Sequence, residues 1–256
     1  MTSISVTRVD LGTLGGASSY AADVNSGNTV VGWSETSAGA THAFRWSAAG
    51  MVDLGTLPGD AMSRAVAVLD GGSSTIALPT RFNARGDVVG SDAGGFQHGW
   101  VWSETHGKYD LSANVQGGSN EGSASAVTSS GLVVLTTRAN TCSRTPQCWR
   151  TYLWTQMTGY RPIGTPADNA EANVTGLALN ETGTVAGWVT SDGTSGTFPY
   201  RWASVTGFTL LANYSTGSSG YGYATAVSSN GTVVGAAFEP ASGSIVASTW
   251  LANGTT

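Results

Sequence analysis

The hexapeptide Val-Asp-Leu-Gly-Thr-Leu occurs twice, at residues 9–14 and at residues 52–57, and the two copies continue as VDLGTLGG and VDLGTLPG. The second copy closes a longer unit, because it follows the segment THAFRWSAAGM. The first copy has no comparable segment before it. The chain is therefore built from a repeated unit, and the first copy is either an orphan or part of a unit whose remainder lies elsewhere.

A turn residue followed by a valine-rich run recurs five times, in NSGNTVVG, NARGDVVG, TSSGLVVL, NETGTVAG and SSNGTVVG. The residues at the turn are Asn28, Gly86, Gly131, Gly183 and Gly231. Because Gly and Asn tolerate a positive φ, each segment is predicted to form a two-residue hairpin turn that leads into a strand. The spacing of 58 residues between the first two turns indicates an insertion near AVLDGGSSTIALPTRF.

A tryptophan closes the next strand of every unit: Trp46, Trp102, Trp154, Trp202 and Trp250. A glycine follows each of them at a further predicted turn: Gly50, Gly107, Gly159, Gly207 and Gly254. Aligned apolar residues then mark one more strand: Leu11, Leu54, Leu111, Ile163 and Leu211. Each unit is predicted to contain four strands and three turns, with the tryptophans packed between units.

The split unit predicts how the ends of the chain meet. The unit of Trp250 stops at LANGTT and lacks a fourth strand, whereas SVTRVDLGTL at the start supplies one. Joining them gives a five-bladed β-propeller over residues 1–256, a single domain with four antiparallel strands per blade and an N-terminal strand that completes the last blade. Small residues in the first strands suit the crowded axis. A linear β-solenoid is the alternative, but it gives no reason for the split unit.

Composition narrows the setting and the partners. A net charge of −5 without a basic patch argues against nucleic acid, and no run approaches the ~20 apolar residues that span a bilayer. Cys142 and Cys148 have the spacing of a small loop disulfide, which favours an extracellular or periplasmic protein. The N-terminal MTSISVTRVD lacks the apolar segment of a signal peptide, so a mature form with an added Met and a cytoplasmic protein both remain open. We expect a monomer.

The unit that contains His42-Ala43-Phe44 resembles the bacterial HAF repeats, which are named for this triplet. The resemblance is close over residues 8–59, and elsewhere it is limited to the turn glycine, the VVG and the tryptophan. His98 matches His42, but the other three units have no matching histidine. The resemblance implies a propeller and a secreted or surface location. It implies no catalytic residue.

A propeller built from four-stranded units has two faces, because successive turns of each unit alternate between them. The tight-turn face carries the Asn/Gly turns and the turns after the tryptophans. The long-loop face carries the loops between second and third strands and the connections between units. Because variable loops on a rigid scaffold carry binding residues, we place a site on the long-loop face. Its acidic residues are Glu35, Asp60, Asp92, Glu121, Asp168, Glu171, Asp192 and Glu239. Its aromatic residues are Trp33, Phe96, Trp149, Trp188, Tyr221 and Tyr223.

Aromatic rings among carboxylates suit the recognition of sugars. We predict a non-catalytic, lectin-like glycan-binding protein whose ligand contacts Trp33, Glu35, Asp92, Glu171, Trp188, Tyr221 and Tyr223. The alternative is an enzyme with one site at the mouth of the axis, which acts on a carbohydrate or another small molecule through paired carboxylates. No cofactor or metal is predicted, because His42 and His98 occupy equivalent positions that suit packing or hydrogen bonding.

Overall fold

The protein is all-β, and its described strands form five antiparallel sheets in which the strands follow sequence order. In this computed structural model, the described residues are 8–68, 86–93, 97–115, 118–140, 142, 148–166, 171–190, 196–211, 221–239 and 243–251. The predicted insertion around residues 69–85 lies outside them. We call each sheet a blade.

Blade 1 contains β1 (Gly15–Val24), β2 (Val30–Thr36), β3 (Thr41–Ser47) and β4 (Gly50–Asp53). Blade 2 contains β5 (Met62–Val68), β6 (Val88–Ala93), β7 (Gln97–Ser103) and β8 (Gly107–Asp110), and a 3₁₀ turn (Ser112–Asn114) follows it. Blade 3 contains β9 (Gly118–Val127), β10 (Val133–Ala139), β11 (Cys148–Thr155) and β12 (Gly159–Pro162). Blade 4 contains β13 (Asn173–Leu179), β14 (Val185–Thr190), β15 (Thr197–Ala203) and β16 (Gly207–Leu210). Blade 5 contains β17 (Gly222–Val227), β18 (Val233–Glu239) and β19 (Ser244–Trp250).

The five predicted turn residues all have a positive φ, between 58° at Asn28 and 91° at Gly86. The turns are longer than the predicted two residues, because Val24 pairs with Val30 and the loop takes residues 25–29. The Asn25 side chain accepts the N–H groups of Gly27 and Thr29, which satisfies backbone donors that the strands leave unpaired.

A β-bulge explains the glycine that ends the VVG segments. In blade 1 the pairing of β1 with β2 shifts between Ala21 and Asp23, and the bulge turns the Tyr20 carbonyl toward Gly32. A Cβ on Gly32 would lie 1.8 Å from that carbonyl oxygen. The same close approach occurs at the glycines of blades 2, 4 and 5, whereas blade 3 has Leu135 at this position beside a bulge of its own. In those four blades the glycine is required by close backbone approach rather than by a turn.

The core consists of clusters that join consecutive blades. Val31 and Ala43 of blade 1 pack with residues of blade 2, and further clusters join blades 2 and 3, blades 3 and 4, and blades 4 and 5. Trp154 and Trp202 are 4% and 6% exposed within two of these clusters. These repeated tryptophans are therefore buried in the packing between blades.

Blade 5 differs from the others in two ways. It has three described strands, and no described strand pairs with the outer edge of β19. Val234 is 44% exposed, whereas its counterparts in β2, β6, β10 and β14 are fully buried by the following blade. The described residues thus show a series of five propeller-type blades, and they do not show the predicted closing strand.

Candidate binding sites

A stacked pair of aromatic rings lies on β1 and β2, the first two strands of blade 1, which we call its inner strands. Tyr20 of β1 and Trp33 of β2 are direct cross-strand partners, so their side chains share one side of the sheet. Their ring centroids are 5.6 Å apart with an interplanar angle of 21°. Arg64, from β5 of blade 2, places its guanidinium carbon 5.2 Å from the Trp33 ring centroid. We call Tyr20, Trp33 and Arg64 the Trp33 platform.

The platform is open to solvent and has a carboxylate beside it. Tyr20 is 60% exposed, and Trp33 is partly exposed. Glu35 lies two residues beyond Trp33 on the same side of β2, and its Oε2 atom accepts the Ala17 N–H at 3.0 Å. A ring, a guanidinium and a carboxylate are thus grouped on one surface. Sequence reasoning missed Tyr20 and Arg64, although the pairing of β1 with β2 could have indicated Tyr20.

A related arrangement occurs between blades 4 and 5. Trp188 occupies in β14 the position of Trp33 in β2, and Tyr223 occupies in β17 the position of Arg64 in β5. Strands β14 and β17 are in contact. Tyr221 and Tyr223 are 45% and 44% exposed. The predicted aromatic residues of blades 4 and 5 therefore belong to one junction, while Trp33 belongs to another.

Asp92 has a different environment from the predicted one. Its side chain is fully buried and receives the Lys108 ammonium at 3.2 Å and the Leu57 N–H. Burial raises the pKa of Asp92, against the opposing effect of Lys108, and burial lowers the pKa of Lys108, against the opposing effect of Asp92. Lys108 also donates to the Gly55 carbonyl at 2.6 Å and lies 4.2 Å from the Trp100 ring centroid. This carboxylate connects blades 1 and 2 and does not reach the surface, so we leave it out of the binding site.

Glu171 lies at the junction of blades 3 and 4, beside a cross-linked loop. Cys142 and Cys148 form a disulfide, and Arg150 donates to the Cys142 sulfur and to the Ala172 carbonyl. Burial lowers the pKa of Arg150, and Glu171 opposes that shift by its charge. The loop is thus attached to the connection that leads into blade 4.

The remaining predicted residues are placed as follows. Glu121 pairs with Arg138 at 2.8 Å, and Asp60 lies 3.5 Å from His98. The backbone N–H of Trp149 donates to the Asn173 side chain. Phe96, Asp168 and Asp192, together with the Glu239 side chain, lie outside the described residues.

Within the described part of the chain, no three or more His, Cys, Asp or Glu side chains are grouped so that they could hold a metal ion. None of the described segments forms a helix of the length and apolar character needed to cross a membrane.

No protein-family model matches the chain, and no curated protein matches it either. Solved structures that are similar to this chain include an asparagine-to-glutamine mutant of the Aleuria aurantia lectin in complex with Fucα1-6GlcNAc, with 9% identity, a TM-score of 0.45, and coverage of 93% of this chain and 77% of that chain. A triple arginine-to-alanine mutant of AofleA from Arthrobotrys oligospora has 14% identity, a TM-score of 0.47, and coverage of 91% of this chain and 68% of that chain. At these identities the similarity transfers no ligand and no residue to this chain.

Proposed function

We propose that the protein is a non-catalytic glycan-binding protein that uses the inner strands and long-loop face of its blades. The observation that carries the proposal is the Trp33 platform, an exposed tyrosine backed by a tryptophan, with a guanidinium and a carboxylate beside it. A sugar ring stacks its C–H face on an aromatic ring, while charged side chains bind its hydroxyl groups. Arg64 and Glu35 supply both kinds of charged partner.

Each such contact is weak, so repetition matters. Stacking of one ring against one sugar face contributes about 1–2 kcal/mol from apolar area alone. Hydrogen bonds to the sugar hydroxyl groups must supply the rest of the roughly 4 kcal/mol that single-site binding in the millimolar range requires. The junction of blades 4 and 5 offers a second aromatic surface with Trp188, Tyr221 and Tyr223. Two sites on one rigid scaffold would increase the affinity for a surface that carries many glycans.

The contacts of the carboxylates on the long-loop face favour a binding role over a catalytic one. Glycoside cleavage needs two carboxylates across a substrate, one of which carries a proton. Of the described carboxylates of this face, Asp92 is bound to Lys108, Glu121 to Arg138, and Glu35 to a backbone N–H, while Asp60 lies 3.5 Å from His98. These contacts hold the groups as structural or binding partners, and Glu171 likewise lies beside Arg150.

A glycan array with matched variants tests the proposal. Trp33→Ala and Trp188→Ala should each weaken binding to the same glycans while thermal unfolding changes little. Ser91→Ala is the control, because Ser91 occupies the equivalent position in blade 2 and carries no ring. A blank array for the parent protein, together with turnover of a carbohydrate that is lost when Glu35 or Glu171 is changed, would replace the lectin proposal with the enzyme.

We further infer that the five blades close into one ring over residues 1–256. The two VDLGTL copies share one turn contact, because Asp10 accepts the Gly12 N–H as Asp53 accepts the Gly55 N–H. Each copy also reaches the following blade in the same way. The Leu14 N–H donates to Ser34, and the Leu57 N–H donates to the equivalent Asp92.

The second copy begins within β4, the fourth strand of its blade, because Val52 and Asp53 are the last two residues of that strand. By analogy, the residues that precede Asp10 would form a fourth strand, and the open edge of β19 is the place where blade 5 lacks one. Deleting residues 2–14 should then lower the melting temperature strongly and cause aggregation. A deletion variant that stays monomeric with unchanged melting would contradict ring closure.

We also propose a relationship to the bacterial HAF-repeat proteins and an extracellular or periplasmic location for a monomer. The disulfide supports the location, because such bonds persist in oxidising compartments. Fractionation of the native host, with the protein found only in the cytoplasm, would contradict it.

A further inference from the structure

A pocket of about 360 Å³ lies between the outer strands of blades 2 and 3, away from the Trp33 platform. It opens at the tight-turn face, where the sequence predicted no site. Its lining includes His106 from the turn between β7 and β8 and Gln156 from the turn between β11 and β12. The walls are Tyr109, Trp154 and Tyr160.

The aromatic walls form a fixed cluster. The Tyr109 and Trp154 ring centroids are 6.2 Å apart at 25°, and the Trp154 and Tyr160 centroids are 6.5 Å apart at 46°. The Tyr160 hydroxyl donates to the Leu111 carbonyl at 2.7 Å and so ties blade 3 to the end of blade 2. Tyr109 is 41% exposed, whereas Trp154 is buried. A ligand would therefore meet the Tyr109 ring with a rigid support behind it.

The position of Tyr109 distinguishes this junction from its counterparts. The equivalent residues of blades 1, 3 and 4 are Val52, Arg161 and Thr209. Arg161 covers the next tryptophan, Trp202, with its guanidinium carbon 5.6 Å from the ring centroid. Only at Tyr109, among these four described positions, does a neutral aromatic ring face the following blade.

The polar groups of the pocket are an imidazole, an amide and an ammonium group that is already paired. His106 is held by the Thr105 hydroxyl at 2.7 Å, and Gln156 supplies an amide. The Lys108 ammonium is bound to Asp92 and to the Gly55 carbonyl. Aromatic walls beside an imidazole and an amide suit a ligand that has both apolar faces and hydroxyl groups but no charge.

We propose that this pocket is a second binding site, which takes a neutral sugar of one or two rings stacked on Tyr109. It is independent of the Trp33 platform, since the two share no residue and lie on outer and inner strands respectively. A sugar that binds here would engage the tight-turn face, so the protein could hold glycans on both of its faces.

Saturation-transfer NMR with the methyl glycosides of glucose, galactose, mannose and fucose at millimolar concentration tests the site. Tyr109→Ala should weaken binding of at least one glycoside about tenfold, because it removes the stacking surface. Tyr109→Phe should retain that binding within a factor of about three. Thr209→Ala is the matched control from blade 4 and should bind as the parent does.

Trp33→Ala separates the two sites. The Tyr109-dependent signal should persist in this variant whether or not the Trp33 platform binds glycans. If Tyr109→Ala fails to fold, Gln156→Ala takes its place and should weaken the same glycoside. The proposal is overturned if no glycoside gives a signal with the parent protein, or if the signal is unchanged by Tyr109→Ala, or by Gln156→Ala where that variant replaces it.

Discussion

The Nδ1 atom of His42 lies 2.8 Å from Oδ2 of Asp53, so a side-chain contact joins the His-Ala-Phe triplet to the VDLGTL hexapeptide. The Leu54 N–H also donates to the Ala43 carbonyl at 2.9 Å. The two residues lie on the neighbouring strands β3 and β4. Asp53 also accepts the Gly55 N–H at 2.7 Å through Oδ1. Blade 2 repeats the pair with His98 and Asp110, 3.4 Å apart. In blades 1 and 2 the two motifs of the repeat are thus parts of one structural unit at the end of the fourth strand.

Asp53→Ala should destabilise the protein by about 1 kcal/mol, since it removes a backbone hydrogen bond and a histidine contact that are both partly exposed to solvent. Asp10→Ala is the control, because Asp10 makes the same backbone bond to Gly12. Urea unfolding should show a smaller loss for Asp10→Ala. Equal losses would mean that the His42 contact contributes nothing to the free energy of unfolding.

The buried pair of Asp92 and Lys108 should respond differently to single and double substitution. Lys108→Met leaves a buried carboxylate without its cation and should cost about 3 kcal/mol at neutral pH. Asp92→Asn combined with Lys108→Met should cost far less, because the amide can still accept the Leu57 N–H and no buried charge remains. Urea unfolding of the parent, of Lys108→Met and of the double variant measures the three free energies of unfolding. A double variant as unstable as Lys108→Met would contradict the prediction.

The pH dependence of Lys108→Met has a definite sign. Burial already raises the pKa of Asp92, and loss of Lys108 removes the main opposing influence. A carboxyl whose folded pKa lies above its unfolded pKa contributes its full stability below the unfolded pKa and loses it as the pH rises through the folded pKa. The deficit of Lys108→Met relative to the parent should therefore shrink as the pH falls toward 4, as melting curves at several pH values would show. A deficit that grows on acidification would contradict this assignment.

The sequence predicted the features that depend on local backbone geometry. Asn28 and Gly86 were predicted at turns because positive φ favours Asn and Gly. Leu54 and Leu111 were predicted to mark a strand, and each lies buried directly after the fourth strand of its blade. Features that depend on contacts between different strands escaped prediction. Asp92 looked like a loop carboxylate, since nothing in its own segment shows that Lys108 lies opposite. The stack of Tyr20 on Trp33 depends on strand register, which a bulge shifts.

The glycine after the valine pair offers a direct test of that bulge. Gly187→Ala should destabilise the protein by about 3 kcal/mol or more, because its Cβ would lie 2.0 Å from the Thr175 carbonyl oxygen. Gly207→Asn is the control, since Gly207 has open space around it and a φ of 68° that Asn tolerates. Thermal unfolding of both variants decides the matter, and a Gly187→Ala protein as stable as the parent would contradict the bulge geometry.

Loss of the disulfide should affect stability modestly. The bond between Cys142 and Cys148 closes a short loop, with a sequence separation of 6, and contributes about 2 kcal/mol in the chain-entropy model. The double Cys→Ser variant should unfold at a lower urea concentration, and a reductant should shift the parent to the same midpoint. Mass spectrometry under non-reducing conditions checks the bond itself, and two free thiols would remove this support for an oxidising compartment.

If the blades close into a ring, Val234 of blade 5 should be buried by blade 1. Its counterparts Val31 and Val89 are fully buried by the following blade, whereas Val234 is 44% exposed in the structure as described. If blade 1 packs on blade 5, Val234→Asp places a charge in an apolar interface and should cost about 3 kcal/mol or more. In a chain that lacks residues 2–14 the same substitution should cost much less, because the interface no longer forms. Urea unfolding of the four proteins gives this coupling, and a near-neutral Val234→Asp in the full chain would show that the blades remain an open series.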